Sequence, residues 1–418
     1  MSTPPDGAEP QDDVPRGNVA LTSLRIPDFS FFIVSRFCSI TGETLLSAAV
    51  AWQVFELSGS AFQLGLIGLV RFLPHLAFSL VGGVVADSYD RKRVIMLARV
   101  VPFVCGAALA WTTGEEMATL PLIYGLVFAT AVASAFQMPA SSALLPTLVP
   151  RSVFPGAVTV SSTVISLARV TGPAFAGLVI AAQNIATAYL VQVALIATSI
   201  ATLTFVRGRS ATQTGRSGMS LAAVREGIAF VRRKRVVLGA MTLDMFAVIF
   251  GGATALLPIY ANDILQVGPR GYGLLTSSLE IGAVLTSAVL IALPPIQRMG
   301  RALIIAVAVY GLATIAFGVS RSFPLSVLAY IVVGMADQVS VVTRQTLIQL
   351  STPDELRGRV SSVNMVFIGA SNHLGAVEAG FVAALTSATF AVVSGGIACL
   401  SVLGVVAAKI PELRRHRY

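Results

Sequence analysis

Long apolar runs, broken by short clusters of Gly, Pro and charge, fill the chain from about residue 29 to residue 408. Most runs hold at least the roughly 20 residues that a helix needs to cross a hydrocarbon layer of about 30 Å. Cutting at the breaks predicts spanning helices at Phe29 to Phe55, Ala61 to Ala86, Val94 to Thr113, Leu120 to Thr147, Phe154 to Ala182 and Ala186 to Val206. After a polar stretch the pattern resumes at Val236 to Ile264, Tyr272 to Leu293, Ala302 to Val319, Pro324 to Leu350, Val360 to Thr386 and Phe390 to Ala408. The expected fold is an all-α membrane protein of twelve transmembrane helices in two six-helix bundles. Pro74, Pro139, Pro173 and Pro258 fall inside the runs, where neighbouring helices can satisfy the backbone groups that a proline frees.

Composition agrees with the pattern. Of 418 residues, 55% are hydrophobic and 12% charged, against about a quarter charged in a soluble domain. The net charge of +9 does not point to nucleic acid, because the basic residues collect between the runs, where they fix topology and meet anionic head groups. Arg91, Lys92, Arg93, Arg151, Arg298, Arg301, Arg357, Arg359, the cluster "RRKR" and the tail "RRHR" all fall on one side, whereas the other keeps Arg270 and Arg321 beside Glu115 and Glu116. The positive-inside bias then places both termini in the cytoplasm, and the expected location is a bacterial inner membrane. Cys38, Cys105 and Cys399 lie in separate apolar runs without metal-ligand spacing.

Residues 1–24 are expected to form a disordered cytoplasmic tail, since the acidic, Pro- and Gly-rich start cannot bury a core. Residues 25–206 make the first bundle, 207–235 a cytoplasmic linker, 236–409 the second bundle and 410–418 a basic tail. Within the linker, Leu221, Val224, Ile228 and Val231 share one face and predict an amphipathic helix at the inner interface. The bundles also look like copies of one unit. Gly172 and Gly177 align with Gly375 and Gly380, Pro150 with Pro353, and, at a slightly different offset, Gly65 and Arg93 with Gly273 and Arg301. Transporters are commonly built from such repeats around a midplane site.

From Gly83 the loop after the second run reads G-V-V-A-D-S-Y-D-R-K. It resembles the G-x-x-x-D-R-x-G-R-K signature of the major facilitator superfamily: Gly83, Asp87, Arg91 and Lys92 match, while Ser88 and Asp90 replace an Arg and a Gly. With "ALLPTLVP", "LARVTGPAFAGL" and "TLIQLSTPDELRGRVSSVN", the chain is similar to the branch that contains the enterobactin exporter and related drug-efflux proteins. The resemblance implies a gating loop at Gly83, Asp87, Asp90, Arg91 and Lys92, with Asp87 meeting the other bundle in one state. It also implies a packing kink at Gly172, Pro173 and Gly177, and a monomer.

Ionisable groups inside a span cost about 2.5 kcal/mol or more on insertion scales, so they usually face a cavity or a partner. Arg36 and Glu43, seven apart, share a face of the first helix, and Arg71 and His75, four apart, share one of the second. Arg169 sits beside the Gly-Pro kink; Asp244, Glu280, Asp337, Arg344, His373 and Glu378 follow in the second bundle. A carboxyl withdrawn from water holds its proton more readily, which makes Glu43, Asp337, Glu280 and Glu378 candidate proton carriers. Gln53, Gln137 and Asn372, with Trp52 and Phe136, could line a pocket. A structural role stays open for several: Arg36 and Arg344 can snorkel, and Arg71 can neutralise Glu43.

No G-x-x-x-x-G-K-[ST], H-E-x-x-H or G-x-S-x-G stretch occurs, so the expectation is a non-enzymatic protein without a cofactor. The function implied is secondary active transport: proton-coupled export of a small amphipathic compound, a drug or siderophore, with small-molecule substrate, protons and membrane lipids as partners. Uptake or lipid-like solute movement on the same fold, and a non-transporting receptor or scaffold, stay open.

Overall fold

The computed structural model describes residues 19–207, 221–294, 296–410 and 412. Twelve long helices dominate them. The first six are α1 (Pro27–Ser58), α2 (Ala61–Ser88), α3 (Arg91–Gly114), α4 (Leu120–Leu144), α5 (Phe154–Ala182) and α6 (Ile185–Thr204). The second six are α7 (Arg235–Phe250), α8 (Gly268–Ala292), α9 (Met299–Val319), α10 (Phe323–Ser351), α11 (Asp354–Leu385) and α12 (Ala388–Lys409). Among the described residues, eleven of these spans are long and apolar enough to cross a membrane by length and composition. An even number of crossings puts both chain ends on one face, called here the terminal face, opposite the distal face.

Local chemistry sets the helix limits. Pro27 supplies a preset φ at the first turn of α1, and Gly59 at φ 58° closes it in the left-handed region that glycine adopts without strain. Asp90 and Asn184 accept the backbone N–H of Arg93 and Thr187 and cap α3 and α6. The seventh run is less regular than expected: α7 stops at Phe250, and a tight turn at Ala253–Leu256, Leu257–Ile259 and a π-helical turn at Tyr260–Ile264 carry the chain to the distal face. Gly252 packs against the backbone of Gly375 there, which leaves no room for a side chain. Residues 1–18 of the expected tail lie outside the described residues. Its end differs from the expectation, because Val19–Ser23 form a helical turn that packs on the start of α5.

The cores show how the halves meet. One buried cluster on the distal side draws on both, joining Leu45, Trp52 and Phe55 of α1 to Tyr260, Tyr272, Phe317 and Tyr330. On the terminal side each half keeps its own core. Phe29, Phe32, Ile95 and Leu144 form one, and Leu243, Leu303, Leu347 and Cys399 another. The halves are therefore welded distally and separate toward the terminal face, so the molecule is open on the terminal side.

Two helix crossings make the weld, and they are equivalent. Gly65 of α2 meets Gly380 of α11, flanked by the carbonyls of Ala61 and Ala376. Gly273 of α8 meets Gly177 of α5, flanked by the carbonyls of Pro269 and Pro173. Residues 61 and 65 correspond to 269 and 273, and 173 and 177 to 376 and 380, each pair keeping its spacing of four. Lipid is as apolar as leucine, so close backbone approach rather than water exclusion holds such helices together.

The linker helix, Leu221–Arg233, packs against α11 and α7; Val231 is buried with Val237, Val360 and Val363, and Arg359 pairs with Glu226. Its hydrophobic face thus meets protein of the second half at Val231.

Replacing Gly177 by Val should destabilise the protein by about 1–3 kcal/mol, because the backbone of α8 at Pro269 and Gly273 obstructs the new side chain. Gly404→Ala, at a position with open space, should be neutral or slightly stabilising. Thermal unfolding of the two variants in lipid nanodiscs checks both.

Candidate functional site

On α1, Arg36, Ile40, Glu43 and Ser47 recur one turn apart and stay half-buried, while Ser35, Ser39, Leu45, Leu46 and Ala49 are buried. Helices α2, α5 and α6 cover the other sides of α1. This polar stripe therefore faces the cleft between the halves. Arg71 joins it from α2 by donating to Ser47 Oγ, and Arg36 donates to Ser161 Oγ of α5 at 3.0 Å. The expectation that Arg71 neutralises Glu43 does not hold: Glu43 instead accepts from Gln137 Nε2 at 2.7 Å and Ser39 Oγ at 3.0 Å, both neutral donors.

Opposing ions meet where α5 and α8 leave the distal weld. Arg169 and Glu280 lie 3.8 Å apart, one from each half, one helical turn beyond the Ser277 Oγ to Val170 O hydrogen bond. On the other flank His75 of α2 faces His373 of α11, ring centroids 5.6 Å apart, with Phe72 also against His373. Counting a rise of about 1.5 Å per residue, Glu280 and His75 each sit about 20 Å in from the distal ends of their helices, near mid-depth.

The second half buries a stronger pair. Arg344 Nε stands 3.1 Å from Asp244 Oδ1, and its Nη1 donates to Asn364 Oδ1 at 2.7 Å. Arg344 is 1% exposed, so it does not snorkel. Asp337, two turns before Arg344 on α10, is half-buried without an ion-pair partner among the described residues.

Other expected site residues are placed elsewhere. Gln53 binds Thr113 and Tyr189 inside the first half, and Trp52 is buried in the distal weld against Tyr272 with Nε1 on Glu56. Phe136 meets Phe78, and Asn372, exposed, donates to the Ile368 carbonyl one turn back. Glu378 follows the stripe of Leu374, Phe381 and Leu385, all exposed large apolar residues, and so faces the lipid side of α11 rather than the cleft. Sequence reasoning missed Arg99. It is 1% exposed on α3 and donates to Ser35 Oγ at 2.6 Å and to the Ser199 carbonyl at 3.3 Å, tying α1, α3 and α6. Its position in the apolar stretch "VIMLARVVPF" was the available signal.

In the loop expected to gate, the surroundings of Gly83 and the side chain of Asp87 lie outside what the structure describes. Arg91 donates to the Ala143 carbonyl at 2.8 Å, and Lys92 to those of Thr204 and Val206 at 2.9 and 2.6 Å. These cations thus satisfy orphan carbonyls at the ends of α4 and α6. Asp90, where the superfamily signature has Gly, is the α3 cap. At the kink, Gly172 packs on Thr41 and Thr44 of α1, while Pro173 and Gly177 face α8.

Arg344→Ala strands a buried carboxylate and should cost about 3–5 kcal/mol. The Asp244→Asn change in the same chain should restore much of it; urea titration of the single and double variants measures the coupling.

Residues 18–416 match the family model described as a transmembrane secretion effector. The multidrug efflux pump Tap of Mycobacterium tuberculosis (strain ATCC 25618 / H37Rv) is 28% identical over 409 residues, covering 94% of this chain and 95% of the relative. The enterobactin exporter EntS of Escherichia coli O1:K1 / APEC is 25% identical over 391 residues, covering 94% of each. Among solved structures, a POT family transporter in complex with a thioalcohol conjugated peptide superposes with a TM-score of 0.75 at 12% identity, over 92% of this chain and 96% of that one. A bacterial homologue of the human lysosomal transporter Spinster, inward-facing and unoccupied, gives 0.67 at 14% identity, over 95% and 97%. With its two equivalent six-helix halves and a family match over nearly the whole chain, this protein belongs to the major facilitator superfamily, in its transmembrane secretion effector family.

Proposed function

We propose that the chain exports small amphipathic compounds of the drug or siderophore type, coupled to proton entry, by alternating access. The terminal face is then cytoplasmic, in accord with the clustering of Arg and Lys in its loops, and the cleft open on that face is the inward-facing state. The superfamily membership supports a transporter, and the names of the relatives, efflux pump and exporter, support the outward direction.

Glu43 carries the coupling half of this reading. Its carboxylate lies midway along α1 on the cleft-facing stripe and is held by neutral donors alone. It can therefore gain or lose a proton without breaking an ion pair, unlike Asp244 beside Arg344. Asp337 shares that freedom in the second half. Glu280 is tied to Arg169, and Glu378 stands outside the cleft. The energy is sufficient, since each charge carried inward is worth about 2.3 kcal/mol per 100 mV before any pH gradient is counted.

Glu43→Gln keeps the Ser39 and Gln137 neighbourhood while removing the titration. Inverted vesicles carrying this variant should lose proton-driven accumulation of a transported dye by about tenfold or more, a loss of at least 1.4 kcal/mol, while exchange of dye across the membrane persists. Full accumulation by both Glu43→Gln and Asp337→Asn would remove these carboxylates from the coupling, and accumulation with the opposite sign would make the protein an importer.

A further inference from the structure

The charges in the cleft are unequally shared. The first half sends three arginines toward it, Arg36, Arg71 and Arg169, from three different helices. Only Arg169 meets a carboxylate, and that one belongs to the other half. Arg36 and Arg71 are held by hydroxyls, and no described carboxylate stands within ion-pair distance of either. The one acid on the stripe, Glu43, is occupied by Ser39 and Gln137.

Arg71 lies deeper than Arg36. Ser47, its partner, is eleven residues beyond Arg36 on α1, or about 16 Å farther from the terminal face at 1.5 Å per residue. The distal weld begins just beyond: Tyr272 donates across the halves to the Ala48 carbonyl, one residue after Ser47, and lies within electrostatic reach of Arg71. Arg71 thus stands on the floor of the open cleft. His373 reaches the same floor from the second half, next to Phe72 and His75 and within electrostatic reach of Arg71. The nitrogens of His75 are taken by the Arg71 carbonyl and by Ser134 Oγ. Those of His373 make no hydrogen bond among the described residues. A guanidinium with one hydroxyl partner and an imidazole with none, one from each half, leave N–H donors and positive charge uncompensated at the bottom of the cleft.

We propose that Arg71 and His373 form an oxyanion subsite, and that the compound this protein carries bears an acidic group, a carboxylate, phenolate or phosphate, which docks there. Bound at this place, the anion is gripped by both halves at once. The word "carries" rests on the transport reading above; the subsite itself does not.

Two dyes on one ring system separate the charges. Fluorescein is an anion at mildly alkaline pH, and a rhodamine ester is a cation of similar shape. Fluorescence polarisation with the full chain in nanodiscs, with no gradient imposed, should show fluorescein bound about tenfold or more tighter than the rhodamine ester, the lower end of what a charge-assisted hydrogen bond supplies. Arg71→Gln and His373→Ala should each lower fluorescein affinity by about tenfold and leave the rhodamine ester unaffected, with Arg71→Lys recovering part of the loss. Equal affinity for both dyes, preference for the cation, or intact fluorescein binding in both variants would overturn the subsite. Should a variant fail to fold, competition on the unmodified chain decides: benzoate must displace fluorescein and benzamide must not. A flux arm in energised vesicles keeps the two readings apart. Fluorescein bound through Arg71 but never moved defeats transport and leaves the subsite standing, whereas a moved rhodamine ester with no fluorescein binding does the reverse.

Discussion

Two backbone-to-backbone crossings hold the halves together, and the rest of the architecture follows from them. Between lipid-embedded helices no water is released on contact, so association depends on how closely chains approach and on the polar groups they satisfy. At Gly65 with Gly380 and at Gly177 with Gly273 nothing but hydrogen stands between the helices. Those crossings lie near the distal ends, and the shared core around Trp52, Tyr260 and Tyr272 forms above and between them. Toward the terminal face each half keeps a core of its own, one centred on α1, α3, α4 and α6 and the other on α7, α9, α10 and α12. A cleft on one side is the geometric counterpart of a weld on the other.

Charge is distributed according to the same plan. Where a helix pair stays within one half, ions are locked: Asp244 with Arg344 and Asn364, Arg99 with Ser35 and the Ser199 carbonyl, Arg91 and Lys92 on the ends of α4 and α6. Each half thereby behaves as one piece. Where the halves face each other, partners are looser or neutral, as at Arg169 with Glu280 and at Glu43 with Gln137. A carboxylate or guanidinium that must exchange partners during a cycle cannot sit in a deep ionic well, because breaking a buried pair costs about 3–5 kcal/mol.

Much of this was legible in the chain. Run length and breaks located twelve helices, and the repeat paired Gly65 with Gly273 and Gly177 with Gly380, the very glycines that meet across the halves. Legibility came from backbone constraints, which leave marks at fixed positions. Side-chain partners were harder. Period alone put Arg71 and Glu43 on facing helices but could not see Gln137 arriving from α4 to take the carboxylate. Glu378 looked like a cavity acid because it is an ionisable group inside an apolar run; only the exposure of Leu374, Phe381 and Leu385 reveals which side of α11 it occupies. Gln53 was misplaced for the same reason, since an amide in an apolar run fits a bundle interior as well as a cavity wall.

The helix that closes one flank of the weld carries polar groups through its middle. Asn372, His373 and Glu378 interrupt the apolar run in the distal half of α11. Each of the three makes the partitioning of this segment into lipid less favourable as a translocon scores it on arrival. The surface that α2 offers to the finished molecule then also favours retention of this segment as the chain emerges, with α2 already in place.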